Sequence, residues 1–342
     1  MTLNTLERLV PTYVASFEAY IPSKPDEELK RLYGCSSLHR LNNNENPLGP
    51  PPLARRAFAD FEPARAAIYP SGDSYYLRQA LAQRHGLSPD QIIMGNGANE
   101  VIAFVIKAFC ECGDNIVTAD RTFAVYEWVA RFSGIDPRLV PLKNHEFDDE
   151  AMLAQVDERT KIVFLCNPNN PTGTFWSRQR LCSFLDRLGD QALMVVDEAY
   201  MEFVEDPDFP DGLTLLEQYP NLVLFRTFSK MYGLAALRVG YLMGQPEVVE
   251  LIRRTCIAYS VSSIGQECAL AALQDDADHI AQTRQLVREA KAFLKPEFER
   301  LGLQSQIGEG PFVVIRFPGS DTLAYRKMMQ RGYMIRPMTG FR

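Results

Sequence analysis

Apolar runs of strand length recur through the middle of the chain: QIIM (91–94), NIVTA (115–119), KIVFLC (161–166), ALMVV (192–196) and NLVLF (221–225). Most are separated by segments of helical character. Runs this uniformly apolar predict strands buried on both faces, and their alternation with helices predicts an α/β domain around a mostly parallel sheet with helices on both faces. Beyond Pro246 the pattern changes. Long helical stretches, EVVELIRRTCIAYS and ADHIAQTRQLVREAKAFLKPEFERLG, are followed by strand-like FVVIRF and GYMIRP, which predicts a smaller α+β domain. Before Asn42 an amphipathic segment leads into YIPSKPDEEL, which reads as an arm lying against the rest. The expected organisation is an arm and part of the small domain over residues 1–41, a large domain over 42–245, and a small C-terminal domain over 246–342. No internal repeat or low-complexity segment interrupts it.

Composition narrows the setting. The chain has 342 residues, 46% hydrophobic and 23% charged, without an uninterrupted apolar stretch that could span a bilayer. Its first twenty residues include acidic positions and lack the charged-then-apolar order of a secretory signal, so a cytoplasmic protein is expected. The net charge of −7, with no Lys/Arg-rich block, argues against nucleic-acid and anionic-membrane partners. Seven cysteines without a C-x-x-C pair predict reduced thiols, and four scattered histidines offer no metal-ligand spacing.

Ligands of open α/β sheets bind beyond the carboxyl ends of the strands, so polar motifs at those ends matter most. After QIIM comes GNGANE, where two glycines allow a tight turn and the N–H groups of Ala98 and Asn99 open a helix, a phosphate-binding arrangement. After KIVFLC comes NPNNPTGT, with the amides of Asn167, Asn169 and Asn170. After ALMVV stand Asp197 and Tyr200, and after NLVLF stand Thr227, Ser229 and Lys230. Taken singly, Asp197 is more often a strand-end cap and Lys230 a surface charge. Glu100 occupies the place of the third glycine of a dinucleotide fingerprint, and no G-x-x-x-x-G-K-[ST] element is present. A phosphate cradle, amides, a carboxylate and an amine at four strand ends together suit one cofactor, pyridoxal phosphate.

Here the sequence resembles the fold type I pyridoxal-phosphate aminotransferases, and within them the histidinol-phosphate aminotransferase family. The motifs, in the family's order, are YIPSKPDEEL, LNNNENPLGPPP, YPSGDSYYLRQALAQRHG, GNGANE, CNPNNPTGT, VVDEAYMEF, TFSKMYGLAALRVGY and MIRPMTGF, covering nearly the whole chain. The resemblance implies that Lys230 bonds the cofactor aldehyde as a Schiff base and then moves the substrate proton. It implies that Thr227, Ser229, Arg238 and the backbone at Ala98 and Asn99 hold the phosphate. Asp197 is implied to keep the pyridine nitrogen protonated, with Asn170 and Tyr200 on the ring oxygen and Phe123 stacked on the ring. Tyr69 matches a tyrosine that reaches the phosphate from the neighbouring subunit, which implies a homodimer. Tyr20 and Asn46 match positions lining the substrate pocket, and Arg336 matches the arginine that takes the substrate phosphate. The family's second arginine, for the carboxylate of the oxo acid, has no counterpart at Arg342, so a shortened chain is expected. The implied reaction moves an amino group between L-histidinol phosphate and 2-oxoglutarate, in histidine biosynthesis. Aromatic amino acids as donors, or phosphothreonine decarboxylation, are alternatives on the same scaffold. A pyridoxal-phosphate-sensing regulator is a further one, set aside because no basic helix-turn-helix segment precedes residue 40 and Lys230 is intact.

Overall fold

The computed structural model describes residues 7–19, 23–274 and 276–338. Among these residues the strands are β1 (His39–Arg40), β2 (Ile92–Gly95), β3 (Asn115–Ala119), β4 (Asp136–Val140), β5 (Thr160–Cys166), β6 (Leu193–Asp197), β7 (Leu222–Thr227), β8 (Gly240–Gly244), β9 (Gln304–Gln306), β10 (Val314–Arg316) and β11 (Tyr333–Met334). Seven of them form one sheet in the order β2-β8-β7-β6-β5-β3-β4, in which β8 runs antiparallel to both its neighbours and the other pairings are parallel. β2, β3, β6, β7 and β8 are buried at every position, as expected of a sheet covered on both faces.

All five apolar runs of the sequence are strands of this sheet, and its two further strands were not anticipated. β4 (DPRLV) carries a proline and two charges on its edge position, and β8 (GYLMG) is short and bracketed by glycine, so neither gives a plain apolar run. The covering helices are amphipathic in the expected sense. The helix Arg178–Leu188 buries Leu181, Phe184, Leu185 and Leu188, spaced three and four apart, and starts on Ser177, whose hydroxyl accepts the Arg180 N–H. The helix Ala98–Phe109 turns Val101, Ile102, Val105 and Ile106 inward.

The helix expected over Glu247–Ser260 stops at Arg253, and a separate helix, Ser263–Ala272, follows. Val249, Ile252, Cys268, Ala269 and Ala272 of these two helices share one hydrophobic core with the sheet. Beyond them the helix Ala277–Arg300 leads to the antiparallel pair β9–β10 and to β11, which pairs in parallel with β1. A second, small core of Leu29, Met329 and Met334 sits beside that pair. The strand expected over FVVIRF narrows to Val314–Arg316. Among the described residues no helix is long and apolar enough to cross a membrane, and the seven cysteines are free thiols.

Candidate active site

The carboxyl ends of β5, β6 and β7 lie side by side, with Cys166 opposite Asp197 and Asp197 opposite Phe225. Side chains at successive positions of an extended strand point to opposite faces. Asp197 therefore goes to one side and Glu198 to the other. Glu198 meets Arg226 in a buried ion pair (2.8 Å) and accepts the Gly212 N–H, while Arg226 also reaches Asp211 (3.0 Å). Such a pair adds little net stability, since both charges lose water, but removing one partner leaves a bare buried charge. It pins the β6 end to the β7 end, and so fixes Asp197 relative to Lys230.

Asp197 is 3% exposed. Its carboxylate accepts the Tyr126 hydroxyl proton at 2.5 Å and the Ala199 N–H at 3.0 Å. Burial raises its pKa above the ordinary value, while the Tyr126 and Ala199 hydrogen bonds and the Lys230 charge pull it back. Lys230 donates from Nζ to the backbone carbonyl of Asn43 (2.7 Å), and its Nζ stands 5.8 Å from the centre of the Tyr200 ring. Burial lowers its pKa to about 8; Glu45 and Asp197 oppose that, and Arg238 and Arg336 add to it. An amine so placed is readily neutral, the form that attacks a carbonyl. The Tyr200 hydroxyl accepts N–H groups from Asn44 (3.0 Å) and Asn170 (3.4 Å), and burial holds its proton on.

Behind Lys230 lies a cradle for an anion. The helix Ala98–Phe109 begins after Gly97, whose φ of +80° suits glycine, and a Cβ there would run into the Arg238 guanidinium. A Cβ on Gly240 would stand 2.7 Å from the Ala98 nitrogen. Two glycines thus let β8 and Arg238 close in on the helix N-terminus. Arg238 is itself left-handed (φ 55°) and donates to Ser229 Oγ (3.4 Å) and Ala235 O (3.1 Å). First-turn N–H groups, a guanidinium and a serine hydroxyl form the donor set that a phosphate monoester requires. With an amine and a buried carboxylate beyond it, these residues fit pyridoxal phosphate.

Several expected residues have other tasks. Thr227 donates to Val239 O (3.2 Å) and accepts the Ser229 N–H (3.1 Å), so its single proton shapes the loop instead of entering the cradle. Asn167 bonds both backbone groups of Trp176, and the Asn169 amide goes to Thr172 and Arg121; of the three loop asparagines, Asn170 alone faces Tyr200. The Asn46 amide is spent on Met231 O (2.8 Å) and Thr283 (3.1 Å), which packs its segment against the helix Ala277–Arg300. Phe123 is half-buried, edge-on to Tyr126 at 5.6 Å. Tyr69 is 82% exposed, with its ring 5.1 Å from that of Tyr259. Tyr20 lies outside the described residues. Arg336 donates to Asn42 O (3.1 Å) and Asn43 Oδ1 (3.0 Å). Sequence reasoning passed over Tyr126, Asn43 and Asn44. Their signals were the three-residue spacing from Phe123 to Tyr126 and the run Asn42-Asn43-Asn44, in which Asn44 takes the left-handed conformation (φ 55°) that asparagine tolerates.

A fold of this kind, with an amine, a buried carboxylate and an anion cradle at adjoining strand ends, defines a class of enzyme. Residues 37–342 match the family model for aminotransferase class I and II. Histidinol-phosphate aminotransferase of Anaeromyxobacter sp. (strain Fw109-5) is 40% identical over 335 residues, 97% of this chain and 92% of that protein. The Moorella thermoacetica enzyme of the same name is 38% identical, over 94% of this chain and 83% of its own. The crystal structure of histidinol-phosphate aminotransferase from Sinorhizobium meliloti, in complex with pyridoxal-5'-phosphate, superposes with a TM-score of 0.84 at 28% identity, covering 95% of this chain and 88% of that one. The chain belongs to the class I and II aminotransferases and, within them, to the histidinol-phosphate aminotransferase family.

Proposed function

We propose that this protein, with pyridoxal 5'-phosphate as its cofactor, exchanges an amino group between L-histidinol phosphate and 2-oxoglutarate, in the cytoplasm, for histidine biosynthesis. The observation that carries the choice of donor is the place of Arg336. Its guanidinium rests on Asn42 O and Asn43 Oδ1, and the carbonyl of that same Asn43 receives the Lys230 amine. A rigid cationic fork that shares Asn43 with the reacting amine suits a donor carrying a phosphate. The relatives' names and the free cysteines agree with this reading.

The bound cofactor supplies an aldehyde to take up the amino group and a cationic ring to draw electrons from the donor's α-carbon. The rest falls to the chain's own residues. Lys230, its pKa lowered to about 8 by burial, would serve as the attachment point and then as the base that removes and returns the α-proton. Asp197 keeps a proton on the ring nitrogen, Tyr200 and Asn170 donate towards the ring oxygen, and Ser229, Arg238 and the N–H groups of Ala98 and Asn99 hold the phosphate. Phe123 covers the ring face.

The test is an absorbance titration of the purified protein with histidinol phosphate, phenylalanine and phosphothreonine. Histidinol phosphate is expected to convert the cofactor band at the lowest concentration, and a preference for phenylalanine would move the protein to the aromatic branch of the fold. Arg336→Gln sharpens the test. Loss of a bidentate charge-assisted contact, roughly 1.5–3 kcal/mol, should cut kcat/KM for histidinol phosphate about ten- to a hundredfold. Activity with unphosphorylated histidinol or phenylalanine should fall far less. Equal losses for all donors would mean that Arg336 supports the fold.

A homodimer belongs to the same proposal. Tyr69 lies against Tyr259 (53% exposed), an uncovered aromatic pair that suits an interaction face. Tyr69 then completes the phosphate cradle of the neighbouring subunit. Mixing Lys230→Ala subunits with Tyr69→Ala subunits is expected to restore activity, since each heterodimer gains one intact site. If activity stays flat although exchange is demonstrated and Tyr69→Ala alone is severely impaired, Tyr69 acts within its own subunit.

A further inference from the structure

The segment RTFAVY enters the helix Val125–Phe132 with two aromatic side chains, Phe123 and Tyr126, three residues apart and hence on one side of the turn. Tyr126 is fully buried. One face of its ring lies flat on Phe164 of β5, with centroids 4.7 Å apart and planes 10° apart, and Phe123 meets it edge-on at 5.6 Å. A ring so clamped has one freedom left, rotation of its hydroxyl proton, and the oxygen stands 2.5 Å from Asp197 Oδ2. The other carboxylate oxygen is held by the Ala199 N–H.

We propose that Tyr126 is a positioning residue for the reaction: its hydroxyl, locked against Phe164, aims the Asp197 carboxylate at the cofactor's ring nitrogen and keeps it ionised. The inference rests on the proposed function in one respect, that Asp197 faces that nitrogen. Packing alone would be served equally well by phenylalanine. The hydroxyl adds only the contact to Asp197, and a buried donor of this kind is retained at a desolvation cost unless its bond is made. The titratable groups around Asp197 are Tyr126 from the helix, Cys166 from β5, Tyr200 from beyond β6 and Lys230 from beyond β7. Cys166, Tyr126 and Tyr200 are all held protonated by burial, so Lys230 is the one group of the four that can be charged, and Tyr126 is the donor nearest the carboxylate. The arrangement also joins two parts of the site. Phe123, proposed above to stack on the cofactor, leans on the tyrosine that holds the carboxylate, so one turn of chain would supply both a stacking face and the support of the ring's charge partner.

The test uses holoenzyme of Tyr126→Phe, Asp197→Asn and the double variant. For Tyr126→Phe we expect kcat down about ten- to a hundredfold with KM within about twofold, the loss expected of a hydrogen bond to a charged group. The pH at which the bound cofactor's absorption band changes should shift, while circular dichroism and Tm stay near wild type. In the Asp197→Asn background the same change should cost less than about twofold, because a residue acting through Asp197 has nothing left to act on. Equal losses in both backgrounds, or an unshifted spectrum at wild-type kcat, would overturn the inference. If Tyr126→Phe does not fold, site-specific 3,5-difluorotyrosine at 126 keeps the shape and acidifies the phenol; an unmoved spectral transition would then overturn it. The spectral readout needs no amino donor. A wild type without a cofactor band removes the proposed function and the inference together, whereas a normal wild type beside a silent variant removes the inference alone.

Discussion

Lys230→Ala is expected to abolish turnover outright while the protein still binds pyridoxal phosphate noncovalently. The amine is the one buried primary amine at the meeting of β6 and β7, placed over the Tyr200 ring and biased towards its neutral form by burial. The cradle of Ala98, Asn99, Ser229 and Arg238 uses none of the Lys230 side chain, so it survives the change. Borohydride reduction of wild type should fix the cofactor to the chain at Lys230, and reduction of the variant should fix none. Near-normal turnover in Lys230→Ala, or a label on another lysine, would show the assignment to be wrong. The Asn43 carbonyl loses the Lys230 amine as a donor in the variant, and it can turn to water instead.

Asp197→Asn should fold normally and lose orders of magnitude in kcat. An amide has nearly the shape of the carboxylate; it can still accept the Ala199 N–H and can meet the Tyr126 oxygen with its own N–H. What it lacks is charge, and in a buried site a full negative charge beside a ring nitrogen is worth far more than in water. Tm measured by circular dichroism separates loss of fold from loss of chemistry. A variant with wild-type kcat would rule out the ring-nitrogen role.

Much of this was legible in the sequence because the signals are local. Apolar runs such as KIVFLC and NLVLF specify buried strands regardless of what surrounds them, and the polar residues directly after them fall at the strand ends by chain continuity. The helix after GNGANE starts where its glycines predict, and Lys230, Asp197, Tyr200 and Asn170 gather as expected. What was not legible depends on side-chain direction. Thr227 and Asn46 have residue types suited to ligand contact, but their hydrogen bonds go to Val239 and to Met231 and Thr283, partners fixed only once distant segments pack. Tyr126 was hidden for the opposite reason: an aromatic in an apolar helix reads as core, and it is core, apart from one oxygen. β8 escaped notice because its two end glycines, of which Gly240 is required for the close approach to Ala98, dilute the apolar run that would have announced it.

The pairing of β1 with β11 has a bearing on how such a chain acquires its site during synthesis. Arg40 and Met334 meet although they are 294 positions apart. This chain's own share of the cradle and Lys230 falls in a much shorter span, from Gly97 to Gly240. A ribosome therefore releases that share well before it releases Arg336, and closing the longer loop costs more chain entropy. A chain that has emerged as far as β8 would carry the groups proposed to grip the cofactor before the one proposed to read the donor.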